Sequence, residues 1–139
     1  MLGLVEAFLE EHAERPELSE PLQSLINAMD DAKAMAGAVT GYLLSARQDP
    51  RQLYRVGLES VRFLLAIGDL IMGWLLLRHA EIALTALDGN PSPHDREFYL
   101  GKVAVATFFA NSVLPRLRSD RHVIESIDLS LMELDEASF

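Results

Sequence analysis

Apolar residues recur at intervals of three and four along most of the chain, which is the spacing of one face of an α-helix. This pattern predicts four long helices, over about 2–14, 19–48, 50–87 and 93–114, and a short C-terminal helix that starts near Asp120. The connections between the helices are short, so consecutive helices are expected to run antiparallel. The predicted fold class is therefore all-α, an up-down helical bundle in a single domain.

The third helix carries the longest apolar pattern. Ten of its positions repeat at alternating intervals of four and three: Tyr54, Leu58, Val61, Leu65, Gly68, Met72, Leu75, His79, Ile82 and Ala86. Between residues 63 and 77 the other sides of this helix are apolar too. A helix that is apolar all round is expected to be buried all round, so the pattern predicts a central core helix. The fourth helix has a shorter stripe of the same kind: Phe98, Gly101, Val105, Phe108 and Ser112.

Local signals indicate where two of these helices begin. Asp49 before Pro50, and Ser92 before Pro93, are each typical of an N-cap residue followed by proline in the first helical turn. Pro115 is expected to end or kink the fourth helix, because proline lacks the backbone N–H that a helix interior needs. Residues 129–139 carry several carboxylates and are expected to form a frayed acidic tail.

Composition narrows the class of protein. The chain has 139 residues, no cysteine and a formal net charge of −9. The missing thiols exclude disulfides and cysteine-ligated metals, and the negative charge argues against nucleic acid as a partner. The apolar run over residues 63–77 is 15 residues long and is interrupted by Asp69, whereas a membrane span needs roughly 20. We therefore expect a cytoplasmic protein without a membrane span.

Motifs for catalysis, cofactor binding or metal binding are not found in the sequence. Helical bundles hold metal pairs through Glu-x-x-His motifs, but none of the four histidines follows a carboxylate at that spacing. A glycine-rich phosphate loop is also missing. The sequence therefore predicts no catalytic, cofactor-binding or metal-binding residue in this chain.

Two polar features remain as hypotheses. Asp69 lies in the most apolar part of the third helix, where an unpaired carboxylate would be costly to bury, so we expect an ion pair with Lys102 of the fourth helix. A general base with a raised pKa is the functional alternative for Asp69. Arg116 and Arg118 belong to a small basic cluster after Pro115, which is typical of a helix C-terminus but would also suit a phosphate contact.

One stretch resembles a known family. Residues 68–80 include a Gly-Asp pair and Trp74, and they are followed by Gly89-Asn90-Pro91 and then by Phe98-Tyr99-Leu100-Gly101-Lys102. This order, which extends over about 50–118, is similar to the additional C-terminal helical domain of long bacterial acyl-CoA dehydrogenases.

The resemblance implies a piece of a larger flavoenzyme. The parent would use FAD to remove hydrogens from the α and β carbons of an acyl-CoA thioester, and an electron-transfer flavoprotein would reoxidise the flavin. The catalytic and flavin-binding parts belong to the preceding core, so no catalytic residue carries over to this chain and no FAD is expected in it. The domain is then inactive alone, excised from the longer chain, and packs against the parent's flavoenzyme core or a subunit interface, as part of a homo-oligomer.

Two alternatives from other classes stay open at this point. The chain is compatible with a stand-alone helical module that binds another protein through one face. It is also compatible with a small carrier that holds an acyl chain in an apolar pocket between helices.

Overall fold

The predicted all-α bundle is confirmed. The computed structural model describes residues 2–12 and 15–138. Five α-helices follow one another in this part of the chain: α1 (Leu2–His12), α2 (Ser19–Ser45), α3 (Gln52–Asp88), α4 (Pro93–Ser112) and α5 (Arg116–Ser126). Short 3-10 turns lie at Pro16–Leu18, Ser130–Glu133 and Glu136–Ser138.

The helix ends depart from prediction by a few residues. Ser92 caps α4 as expected, since its Oγ accepts a hydrogen bond from the backbone N–H of Asp95 at 3.2 Å. Asp49 also accepts from a backbone N–H, that of Arg51, but one tight turn separates it from the first α-helical residue, Gln52. The C-terminal helix starts at Arg116, directly after Pro115, and so is longer than the sequence predicted.

The core lies between α2, α3, α4 and α5. Its fully buried side chains come mostly from α2, α3 and the region around α5: Leu25, Met35, Leu70, Leu77, Leu114, Leu117 and Ile124. Alanines at the α3–α4 contact, such as Ala80 and Ala106, allow these two helices to approach closely. The core side chain of Leu114 also lies directly against Gly73 of α3.

Polar contacts hold the outer helices on this core. The Tyr42 hydroxyl of α2 donates to the carbonyl oxygen of Ile124 in α5 at 2.8 Å. Lys33 Nζ of α2 lies 2.7 Å from a carboxylate oxygen of Glu6 in α1. Arg15, before the first 3-10 turn, donates to the Thr85 hydroxyl near the end of α3 at 3.0 Å.

Candidate functional site

The largest departure from prediction is the burial of α3. Its long apolar stripe, expected to face a core, lies on the surface: Val61, Leu65, Met72 and Ile82 are each 50–65% exposed. The buried face of α3 instead contains Ala66, Leu70, Gly73, Leu77 and Ala80. The prediction that α3 is buried all round is therefore wrong for this chain, because the described helices cover only one of its two apolar faces.

The apolar stripe of α4 is also exposed. Phe98, Val105 and Phe108 are 55–68% exposed, and the buried residues of this helix are the small Ala106 and Ala110. The stripes of α3 and α4 meet in an open groove of about 260 Å³ lined by His79, Ile82, Ala83, Phe98, Tyr99 and Lys102. The two stripes thus form one surface, which we call the α3–α4 face.

By length and composition alone, two segments are apolar enough to cross a membrane. They are Gln52–Asp88, which is α3, and Pro93–Glu133, which the structure divides into α4, α5 and a 3-10 turn. Only 22% of the apolar window of α3 is buried, which agrees with the exposure of its stripe.

The structure does not bring Asp69 and Lys102 together. Helices α3 and α4 run antiparallel, and Lys102 lies beside Ala83, which is about 14 residues, or roughly 20 Å, from Asp69 along α3. The Lys102 ammonium instead lies 5.1 Å from the centre of the Phe98 ring. Asp69 is half-buried in another groove beside Arg62, Arg116 and Asp120. The two helices are neighbours as expected, but their register separates this pair.

Arg116 and Arg118 lie in the first turn of α5, and not at a helix C-terminus as the sequence suggested. They also line different grooves: Arg116 that of Asp69, and Arg118 one that it shares with Asp30 and Asp31. A phosphate beside Arg118 would therefore face two carboxylates. The arrangement does not favour a joint phosphate contact by these arginines.

An ion-pair network that the sequence analysis missed joins α3 to α5. Arg62 donates from Nε to Glu59 at 2.9 Å and from Nη1 to Asp120 at 3.0 Å. The hydrogen bond to Asp120 has the larger effect and that to Glu59 the next, and both raise the pKa of Arg62. The ion pair between Glu59 and Arg62 could have been predicted from the sequence, because residues three apart on a helix are neighbours. The contact of Arg62 with Asp120, 58 residues later, depends on tertiary packing and could not.

The described residues do not fit a flavin. The larger grooves, of up to about 470 Å³, are open to the surface. The basic side chains in these grooves lie beside carboxylates, which would repel the diphosphate of a flavin cofactor. Among the side chains that the structure describes, no three His, Asp or Glu are placed to hold a metal ion. The groove beside Phe98 and Lys102 is also too open to enclose an acyl chain.

The most prominent surface feature of this all-α bundle is the apolar α3–α4 face. The chain belongs to the family described as Acetyl-CoA dehydrogenase C-terminal like, which it matches over residues 1–135. It is 50% identical, over 137 residues, to the broad-specificity linear acyl-CoA dehydrogenase FadE5 of Mycobacterium tuberculosis. That match includes 99% of this chain but only 22% of the length of the relative. The resemblance found in residues 50–118 is thus confirmed and extends to nearly the whole chain.

Proposed function

We propose that this chain works as the non-catalytic C-terminal packing domain of an FAD-dependent acyl-CoA dehydrogenase. The parent would remove hydrogens from the α and β carbons of acyl-CoA thioesters at a flavin held by its core, and an electron-transfer flavoprotein would accept the electrons. The parent is a soluble cytoplasmic oligomer in this proposal. The domain contributes surface for assembly, against the flavoenzyme core or a neighbouring subunit, and no reacting group.

The observation that carries this proposal is the α3–α4 face. Contiguous exposed apolar patches larger than a few hundred Å² are unusual on monomeric soluble proteins, and they mark surfaces that bind another protein, a membrane or a ligand. Phe108 and Leu65, at 68% and 65% exposure, would lose contact with water when covered. Burial of side chains of this size stabilises an assembly by about 1.5–3 kcal/mol each when it is complete. The relative adds support, since a chain that spans 22% of its length corresponds to one domain among several.

The test compares the parent enzyme with a form from which this domain has been deleted. We expect the deletion to lower the melting temperature or to reduce the assembly size, measured by differential scanning calorimetry and light scattering. The substitution Phe108→Glu in the intact parent should act in the same direction, because it places a charge on the α3–α4 face.

The matched control is Leu44→Glu on α2, where the original side chain is 60% exposed but lies outside that face. This control should leave assembly unchanged. A deletion form with unaltered stability, assembly and turnover would overturn the proposal. Dehydrogenation of acyl-CoA by the isolated chain with an added electron acceptor would overturn it as well.

A further inference from the structure

The exposed stripe of α3 has the spacing of a helix-pairing surface. Its ten positions, from Tyr54 to Ala86, alternate at intervals of four and three, which is the 3.5-residue repeat of helices that pack along their length. At 100° per residue, this stripe is centred about 140° from the buried face of α3 around Leu70. One side of α3 thus belongs to the core of this chain, and the opposite side has the pattern of a second helix contact.

The area of the α3–α4 face suits a specific interface. The stripe from Tyr54 to Ile82 is about 40 Å long at 1.5 Å per residue, and α4 adds about 30 Å beside it. With a helix diameter of about 10 Å, the face measures about 700 Å². A standard protein interface buries about 600–1,000 Å² on each partner, so α3 and α4 together provide an area within that range.

We propose that the stripe of α3 pairs with the same stripe of a second copy of this chain, antiparallel, about a twofold axis between Leu65 and Gly68. This inference rests on the proposed function, since it names the surface through which the domain would join two subunits. A twofold axis makes every contact occur twice, with the two copies exchanging roles. In this register Leu65 faces Gly68 of the second copy, and Val61 faces Met72 of the second copy.

Steric complementarity supports this register. Gly68 is exposed, and a Cβ atom at this position would meet no atom of the described residues within 4 Å, so the space above it is open to a partner. Glycine in a helix interior costs about 1 kcal/mol relative to alanine. A leucine of the opposing helix would fill the space above Gly68 and allow the two backbones to approach closely. Leu65, at 65% exposure, is the side chain that the twofold places there.

Charge complementarity supports the same register independently. Arg62 and Asp69 both flank the stripe on its same edge, and antiparallel pairing about that axis brings Arg62 of one copy beside Asp69 of the other, twice. Asp69 forms no ion pair with the described residues of its own chain. Arg62 uses Nε and Nη1 for Glu59 and Asp120, which leaves Nη2 for a further carboxylate. One twofold operation thus satisfies both the Leu65–Gly68 contact and the Arg62–Asp69 pair, whereas an unrelated partner would have to supply each separately.

The absence of cysteine makes the register directly measurable. Two single-cysteine variants, Val61→Cys and Met72→Cys, are purified separately and treated with a short bis-maleimide, alone and as an equimolar mixture. We expect cross-linked dimers in the mixture, because these positions face each other across the proposed interface. Each variant alone should give few, because its own cysteines lie far apart along the antiparallel pair. The control Leu44→Cys on α2 has similar exposure and should not cross-link.

Light scattering of the unmodified chain tests the assembly itself, with an expected mass of twice 15.4 kDa. Leu65→Glu should reduce this mass to that of one chain, and its circular dichroism should stay helical because Leu65 lies outside the core. Leu44→Glu should remain dimeric. Efficient cross-linking of Val61→Cys alone would overturn the antiparallel register.

Three other outcomes would overturn the pairing: a strictly monomeric chain at high concentration, a monomeric chain that binds the rest of the parent instead, or one that partitions into phosphatidylcholine vesicles. The deletion experiment on the parent enzyme does not depend on whether this chain forms a dimer. The dimer proposal can therefore be wrong while the proposed function is right.

Discussion

At the scale of single residues, the turn between α2 and α3 depends on one carboxylate. Asp49 Oδ1 accepts hydrogen bonds from the backbone N–H of Arg51 at 3.2 Å and from its Nε at 3.0 Å, and Oδ2 accepts from Gln52 Nε2 at 3.1 Å. The hydrogen bonds from the Arg51 side chain, and then that from Gln52, lower the pKa of Asp49 from 3.8 to about 2. The ionised carboxylate is therefore bound more favourably in the folded chain than in the unfolded one.

This pKa shift predicts a defined pH dependence. The folded pKa lies below the unfolded one, so the contribution of Asp49 to stability is complete above about pH 4 and is lost as the pH falls toward 2. Asp49→Asn cannot titrate, so the difference in free energy of unfolding between it and the unsubstituted chain should shrink over this interval. Urea unfolding at a series of pH values measures that difference. A difference that stays constant down to pH 2 would contradict the assignment.

At the scale of elements, the contact between α3 and the α4–α5 turn depends on a residue without a side chain. A Cβ atom on Gly73 would lie 2.8 Å from Leu114 Cδ2 and 3.0 Å from its Cδ1. Leu114 is fully buried, so it has little room to move aside. The close approach of these elements therefore explains a glycine in the middle of a 37-residue helix.

Gly73→Ala is expected to lower the free energy of unfolding by about 1–2 kcal/mol, because overpacking against Leu114 outweighs the better helix propensity of alanine. Gly37→Ala on α2 is the matched control: its Cβ would meet no atom within 4 Å. It should raise the stability by up to about 1 kcal/mol. Denaturant titrations of both variants measure the two changes in free energy of unfolding. Equal stabilisation by the two substitutions would contradict the prediction, because it would mean that the Leu114 side chain moves aside at little cost.

At the scale of the whole molecule, α3 separates two apolar environments. Its inner face, around the fully buried Leu70, belongs to the core shared with α2 and α4, and its outer face forms the stripe. The side chains of α3 that stabilise the core and those that form the exposed stripe are therefore different. This separation explains how a chain with a net charge of −9 has a buried core and also a large exposed apolar surface.

Leu70→Ala tests which residues hold the fold together. It should lower the free energy of unfolding by about 3 kcal/mol, since it removes a fully buried side chain and leaves a cavity. Leu44→Ala, at a position 60% exposed on α2, should change it by less than about 0.5 kcal/mol. Thermal unfolding of the two variants, followed by circular dichroism, provides the comparison. Equal losses would mean that the core does not lie where the structure places it.

The sequence by itself determined the secondary structure, the all-α class and the family. Helical periodicity, the Ser92 cap and the break at Pro115 are local properties, set by residues that are neighbours along the chain. The tertiary structure alone decided which apolar face of α3 is buried, and that Arg62 meets Asp120 while Asp69 stays apart from Lys102. Both faces of α3 repeat with a helical period, so periodicity cannot distinguish them. Burial and pairing depend on the register between helices, which is set by packing across the core between residues far apart in the chain.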